Sequence, residues 1–177
     1  VNIEGTLHAF ESALAVGAEK VIWASSIAAF GRGADKLDGT LLNDAYHTPT
    51  NIYGAGKAFL ERVTDTYRRD RELNAVGLRF TVVYGYGKSL TVERGSGVRF
   101  LEELIEKPAL GIPSVVPNGD DVQDLSYVED AARAIVLASD ATEQPATALT
   151  IPGEDIRIRD AAAIVRDLLP EVEIEVQ

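Results

Sequence analysis

Apolar and polar positions alternate with two periods along this chain. Lys20-Val21-Ile22-Trp23-Ala24 is a short apolar run followed by small and polar residues, the profile of a buried central strand. Ala75 to Val83 repeats that profile and ends in Tyr84-Gly85-Tyr86-Gly87. Shorter strand candidates are Ala146 to Ile151 and Val172 to Val176. The latter alternates Val172, Ile174 and Val176 with Glu171, Glu173 and Glu175, as a half-exposed edge strand does. Between these runs lie helical patterns. Asn2 to Val16 is amphipathic, and Thr50 to Arg69 follows Thr48-Pro49, a cap with proline in the first turn. Ser126-Tyr127-Val128-Glu129 reads as a capping box opening a helix through Ala138, and Asp160 to Leu169 stops at Pro170. Loops concentrate at 31–49 and 85–97. Alternating strands and helices at short spacing predict βα units around a mostly parallel sheet, an α/β fold in one domain over 1–177.

Composition narrows the function classes. The 177 residues suffice for one buried core, and 46% hydrophobic with 25% charged residues is globular. Val21 to Gly31, an apolar run without charge, is too short to span a bilayer, and no signal peptide is visible; a soluble, cytoplasmic domain is the expectation. Absent cysteine removes disulfides, thiolate metal sites and cysteine nucleophiles. A net charge of -11 disfavours nucleic acid as a partner. There is no methionine, and the chain opens on Val1-Asn2-Ile3 like the interior of something longer, so a fragment is expected.

Tyr53-Gly54-Ala55-Gly56-Lys57 places a phenol and an ammonium one helical turn apart, about 6 Å along the axis, on one face. The opposite stripe, Ile52, Phe59, Val63 and Tyr67, has the spacing of a core face. A phenol near pKa 10 is a poor base at neutral pH, and a nearby cation favours its phenolate. So tuned, it can exchange a proton with an alcohol or ketone. The spacing alone is weak, since Tyr84 and Lys88 repeat it; there the two glycines sit in a loop after a strand, and no shared face follows. The two serines Ser25 and Ser26 fall at the carboxyl end of a buried strand, where ligands of open α/β sheets bind. His8 and His47 have no partner at ligand spacing, so no metal is expected. Asp124 and Asp130 read as cap residues, Arg68-Arg69-Asp70-Arg71 as a solvated helix end, and Gly95-Ser96-Gly97 as a candidate lid.

Taken together these segments resemble the extended short-chain dehydrogenase/reductase superfamily, of the NAD-dependent epimerase/dehydratase type. Asn2-Ile3-Glu4-Gly5-Thr6 is similar to its Asn-x-x-Gly-Thr helix, and Ser25-Ser26-Ile27-Ala28-Ala29-Phe30-Gly31 to its serine-strand motif. Ile52-Tyr53-Gly54-Ala55-Gly56-Lys57 matches Tyr-Gly-x-x-Lys. Leu78-Arg79-Phe80-Thr81-Val82-Val83-Tyr84-Gly85 resembles the strand ending in Val-Tyr-Gly, and Asp124 to Asp130 the Asp-x-x-(His/Tyr)-Val-x-Asp helix start. The motifs occur in family order from residue 2 to about 165.

The resemblance implies a Rossmann-like sheet, with 1–93 the C-terminal part of the Rossmann core and 94–177 a mixed substrate-side region with returning Rossmann elements. It implies NAD or NADP as cofactor, a small-molecule substrate, and a homodimer for the full-length parent. Leu7, Phe10, Leu14, Phe59 and Val63 would face either the sheet or that partner. Tyr53 would be the general acid/base, and Lys57 would support it and bind the nicotinamide ribose. Ser26 would hydrogen-bond the reacting oxygen, Asn2 would support the active-site helix and a relay water, and Ser25 and Phe80 would line the nicotinamide side. Two departures count. No Gly-x-Gly-x-x-Gly or Gly-x-x-Gly-x-x-Gly occurs among the 15 glycines, so the N-terminal dinucleotide-binding units are expected to be missing. Val82 and Gln123 stand where nucleotide-sugar enzymes of the family carry asparagine and arginine, which weakens a nucleotide-sugar substrate against a smaller alcohol, ketone or lactone. A non-catalytic binding relative is the alternative; Ser26, Tyr53 and Lys57 standing together argue against it, because a binding module needs no acid/base.

Overall fold

A computed structural model describes residues 2–31, 36–37, 40–41, 47–86, 100–143 and 146–177. In chain order the strands are β1 (Val21–Ser26), β2 (Lys36–Leu37), β3 (Thr40–Leu41), β4 (Ala75–Phe80), β5 (Val82–Tyr84), β6 (Ser114–Val116), β7 (Val122–Tyr127), β8 (Ala148–Ile151), β9 (Glu154–Arg157) and β10 (Ile174–Val176). The helices are α1 (Asn2–Val16), α2 (Ile52–Arg71), the short α3 (Lys107–Ala109) after a π turn over Glu102–Glu106, α4 (Val128–Asp140) and α5 (Ile158–Leu168). Among the described residues no helix is long and apolar enough to cross a membrane. They divide into two compact units, 1–81 with 129–151, and 82–128 with 152–177.

The first unit is built on a parallel sheet in the order β1-β4-β8. Trp23 of β1 lies opposite Gly77 of β4, where a Cβ would stand 2.9 Å from the indole ring. That glycine makes room for the indole. Phe10 of α1 is fully buried beside Trp23, Leu60, Leu73 and Ala75, with Leu14 and Val63 packed around them. Phe10 therefore faces the core, whereas Phe59 of α2 is half exposed. After α1, the chain turns through Gly17 at φ 65°, a left-handed residue that suits glycine. Lys20 closes the far end of α4, its ammonium donating to the carbonyls of Ala138 (3.0 Å), Ser139 (2.8 Å) and Ala141.

The second unit pairs β5 parallel and β9 antiparallel to β7, and β10 parallel to β6. Its core is apolar: Leu101, Leu104, Val116, Ile158, Ala161, Ala162 and Ile174. In β10, Ile174 is buried between exposed Glu173 and Glu175, as the alternation predicts.

Four sequence expectations are corrected. Thr48 does not cap α2; Asn51 does, its Oδ1 accepting from the Gly54 N–H at 2.7 Å, while Thr48 bonds back to the Phe30 carbonyl. Ser126 forms no capping box: it lies within β7, opposite Val83, with its hydroxyl buried and unbonded. Arg68 is not solvated, since its guanidinium bridges the carbonyls of Ala75 and Ala146, each at 2.9 Å. Asp124 is a strand residue that accepts the Gly153 N–H at 2.7 Å. The Gly95-Ser96-Gly97 lid and Lys88 lie outside the described residues.

Candidate active site

Everything in the candidate site belongs to the first unit. β1 and β4 run in register to their carboxyl ends, where Ser25 pairs with Arg79 and Ser26 with Phe80. Beyond Ser26 the chain enters a single 3-10 turn over Ile27–Ala29, capped by the Ser26 hydroxyl, which accepts from the Ala28 N–H at 3.2 Å. This cap holds Ser26 at the strand end and leaves its hydroxyl proton uncommitted.

α2 docks on that turn through its third residue, Gly54. A Cβ on Gly54 would stand 2.2 Å from the Ala28 carbonyl oxygen and 3.2 Å from Pro49 Cβ. Only glycine lets the first turn of the helix come this close. The motif glycine thus has a steric reason: it brings the turn that carries Tyr53 against the turn that follows Ser26. Gly31, at φ 76°, does the same for the segment before α2, since a Cβ there would lie 1.8 Å from the Thr48 carbonyl oxygen.

Tyr53 and Lys57 are brought together. The Lys57 ammonium lies 5.5 Å from the centre of the Tyr53 ring and 5.7 Å from that of Trp23, and donates to the Ala24 carbonyl at 2.5 Å. Lys57 is buried, while the Tyr53 side of the pair is half exposed and open to a ligand. Burial pushes the Lys57 pKa down, and the nearby Glu61 carboxylate opposes that shift. Phe80 is partly buried beside Ser26 on the sheet. Asn2 stands exposed at the start of α1, and no hydrogen bond joins its side chain to the group among the described residues. Tyr86 of the second Tyr/Lys spacing is almost wholly exposed, and Tyr84 packs against Tyr127 at 5.5 Å between ring centres.

The inward face of α2 agrees only in part with the one its hydrophobic spacing predicts, since Val63 and Tyr67 do pack against the core. Ile52 is 92% and Phe59 50% exposed, whereas Gly54, Lys57, Leu60, Glu61 and Thr64 are buried. The physical reason is pairing: polar groups on the inward stripe find partners on the sheet, so the stripe can be buried without orphaned charges. Ser25 is one partner. Its hydroxyl, only 3% exposed with its residue, donates to Glu61 Oε1 at 2.5 Å. Arg79 is the other, forking onto both Glu61 oxygens at 2.8 and 2.9 Å. His47 Nε2 approaches Glu61 Oε2 at 3.1 Å. Burial lowers the His47 pKa, and Arg79 and Arg62 lower it further against the pull of Glu61.

Glu61, Arg79 and His47 were given no role by sequence reasoning. Two signals were available: Glu61 continues the Tyr53–Lys57 spacing by another four residues, and Arg79 is a lone charge in an otherwise apolar strand run. His47 carried none.

Comparison with known proteins places these motifs. A model of the NAD dependent epimerase/dehydratase family matches residues 1–151. An uncharacterized protein of Methanocaldococcus jannaschii is 30% identical over 139 residues, 77% of this chain and 40% of that protein. Among solved structures, a partial-consensus L-threonine 3-dehydrogenase superposes with a TM-score of 0.85 at 22% identity, over 99% of this chain and 57% of that one. A UDP-N-acetylglucosamine 4-epimerase from Methanobrevibacter ruminantium, in complex with UDP-N-acetylmuramic acid, gives 0.83 at 22% identity, over 99% and 55%. The chain therefore spans about half the length of the proteins it matches, and the solved structures share its α/β, Rossmann-like fold.

Proposed function

Because the chain belongs to the NAD-dependent epimerase/dehydratase family, we propose that it carries the catalytic part of an oxidoreductase or epimerase acting on a hydroxyl-bearing carbon. Tyr53 is the general acid/base, Lys57 supports it, and Ser26 holds the reacting oxygen. The observation that carries this reading is the buried Lys57 ammonium, 5.5 Å from the half-exposed Tyr53 ring and anchored on the carboxyl end of β1.

The residues fit a nicotinamide ribose. An ammonium has three N–H donors and the Ala24 carbonyl takes one, which leaves two for a ribose diol. NAD or NADP held there would supply the hydride acceptor or donor for the substrate carbon. The chain's own work is with the proton and the oxygen. Ser26 donates its hydroxyl hydrogen to the substrate oxygen and orients it. Tyr53 takes the hydroxyl proton as an alcohol becomes a ketone, or returns it in the reverse direction. The Lys57 cation favours the phenolate, which is the form that takes the proton in the first direction and the form left behind in the second. Ser25 is committed to Glu61, so its contribution to the nicotinamide side is through the backbone. Val82 and Gln123 favour a small alcohol, ketone or lactone over a nucleotide sugar, since Val82 lacks the amide and Gln123 the guanidinium charge that such a ligand would use.

The test is Tyr53→Phe in the intact protein, assayed by NADH absorbance against L-threonine, small hydroxy compounds and UDP-sugars. Turnover should fall roughly 10²–10⁴-fold with NAD affinity nearly unchanged, because only the titratable hydroxyl is lost. Wild-type turnover in this variant would make the catalytic assignment wrong.

A further inference from the structure

Among the described residues, the catalytic reading leaves a buried ion pair unused, that of Glu61 with Arg79. Glu61 lies one turn beyond Lys57 on α2 and is 3% exposed. A lone carboxylate there would be strongly unfavourable. It is held because Ser25 from β1, Arg79 from β4 and His47 from the segment before α2 converge on its two oxygens at 2.5 to 3.1 Å. Arg79 lies in turn over the Phe30 ring at 4.5 Å, and His47 meets that ring edge-on at 5.3 Å.

Ser25 and Arg79 are register partners, each one residue before the strand ends that carry Ser26 and Phe80. A single carboxylate therefore ties α2 to both strands at the level of the site. Apolar packing resists separation but tolerates small sliding and rotation. A two-pronged guanidinium–carboxylate fork fixes distance and rotation together. A buried ion pair is seldom more stable than well-packed apolar residues, so what it supplies here is one particular placement of the helix.

We propose that Glu61 is the positioning residue of this site: by gathering Ser25, Arg79 and His47 on one carboxylate it sets where α2 holds Tyr53 and Lys57 relative to Ser26. This rests on the catalytic reading of those three residues. Glu61 itself meets no substrate. Its charge also favours the ammonium form of Lys57, whose burial works the other way.

The test uses two variants of the intact protein, Glu61→Gln and the double variant Glu61→Met/Arg79→Met. The double variant removes both buried charges together, a change that commonly leaves folding intact. Amide exchange is read at Tyr53 to Lys57, and the Lys57 titration is followed by NMR with labelled lysine, of which the chain has only five. In both variants the first turns of α2 should exchange at least about tenfold faster, and Lys57 should titrate at lower pH than in wild type, whatever the change in melting temperature. Folded variants with wild-type exchange and an unmoved Lys57 titration would overturn the proposal. Should neither variant fold, Ser25→Ala decides: it deletes one hydrogen bond and leaves the ion pair. Roughly threefold faster exchange at Tyr53 to Lys57 is expected, and unchanged exchange overturns the proposal. Failure of the catalytic reading looks different, since it is Tyr53→Phe turning over normally.

Discussion

α2 and α5 are both amphipathic helices, and they bury opposite kinds of face. α5 turns Ile158, Ala161 and Ala162 into the apolar core of the second unit, beside Leu101, Leu104, Val116 and Ile174. α2 turns Lys57, Glu61 and Thr64 inward with Leu60, and leaves Ile52 and Phe59 outside. The inward side of α5 does nothing but exclude water. The inward side of α2 exchanges some of that gain for a set of paired polar groups, and the pairing places one ammonium and one phenol at a strand end. On α2, buried polar groups with partners on the sheet stand where α5 has apolar contacts.

If α5 stands on apolar packing, Leu104→Ala should cost about 2–5 kcal/mol of stability, through lost burial and the cavity left behind. Urea unfolding of the variant measures this. A cost below about 1 kcal/mol would mean the second unit's core is not held as described.

The close docking of α2 is tested by its two glycines, which should respond with opposite signs. Gly54→Ala must push the helix off the Ala28 carbonyl and should destabilise by about 1–3 kcal/mol. Gly56→Ala meets only Ile3 side-chain carbons at 3.7 Å, ordinary contact, and should gain up to about 1 kcal/mol of helix propensity. Thermal melts of the pair separate the effects. Equal shifts would contradict the docking geometry.

The polar side of the comparison also predicts an acid limb. His47 holds a pKa below its ordinary 6.5 because it is buried, with Arg79 and Arg62 adding to the effect against Glu61. The unfolded chain takes up this proton first as pH falls. Stability is therefore full above about pH 6.5 and is lost as pH drops towards the folded midpoint, by at most ~1.4 kcal/mol per pH unit. His47→Gln should flatten that limb in denaturation curves taken between pH 7 and 5.

The fold was legible where hydrophobic runs are long. The segments around β1 and β4, the helices α1, α2 and α5, and the alternation of β10 all follow from period alone. β6 and β9 escaped because they are short, and β7 because its polarity is mixed, so that Ser126 reads as a cap when it is the penultimate residue of a strand. The candidate site was legible as a motif set: Ser26, Tyr53 and Lys57 all lie in the first unit, and Lys57 reaches the strand that ends in Ser26. Its support was not. A periodicity argument assigns buried faces by apolar count, and so it placed Val63 and Tyr67 against the core but missed the buried polar side of α2 at Lys57, Glu61 and Thr64. Whether Glu61 is solvated or paired depends on Ser25 and Arg79, which are 36 and 18 residues away in sequence and adjacent only through the parallel register of β1 and β4.

The central claim is that Tyr53 and Lys57 act as one unit, and the pH dependence of Lys57→Met in the intact protein tests it most directly. Without the cation, the site loses the charge that favours a phenolate beside the reacting oxygen. Rate and NAD affinity should fall together, and the residual activity should depend more steeply on pH than that of the wild type. A Lys57→Met profile parallel to wild type, with NAD affinity unchanged, would contradict the account.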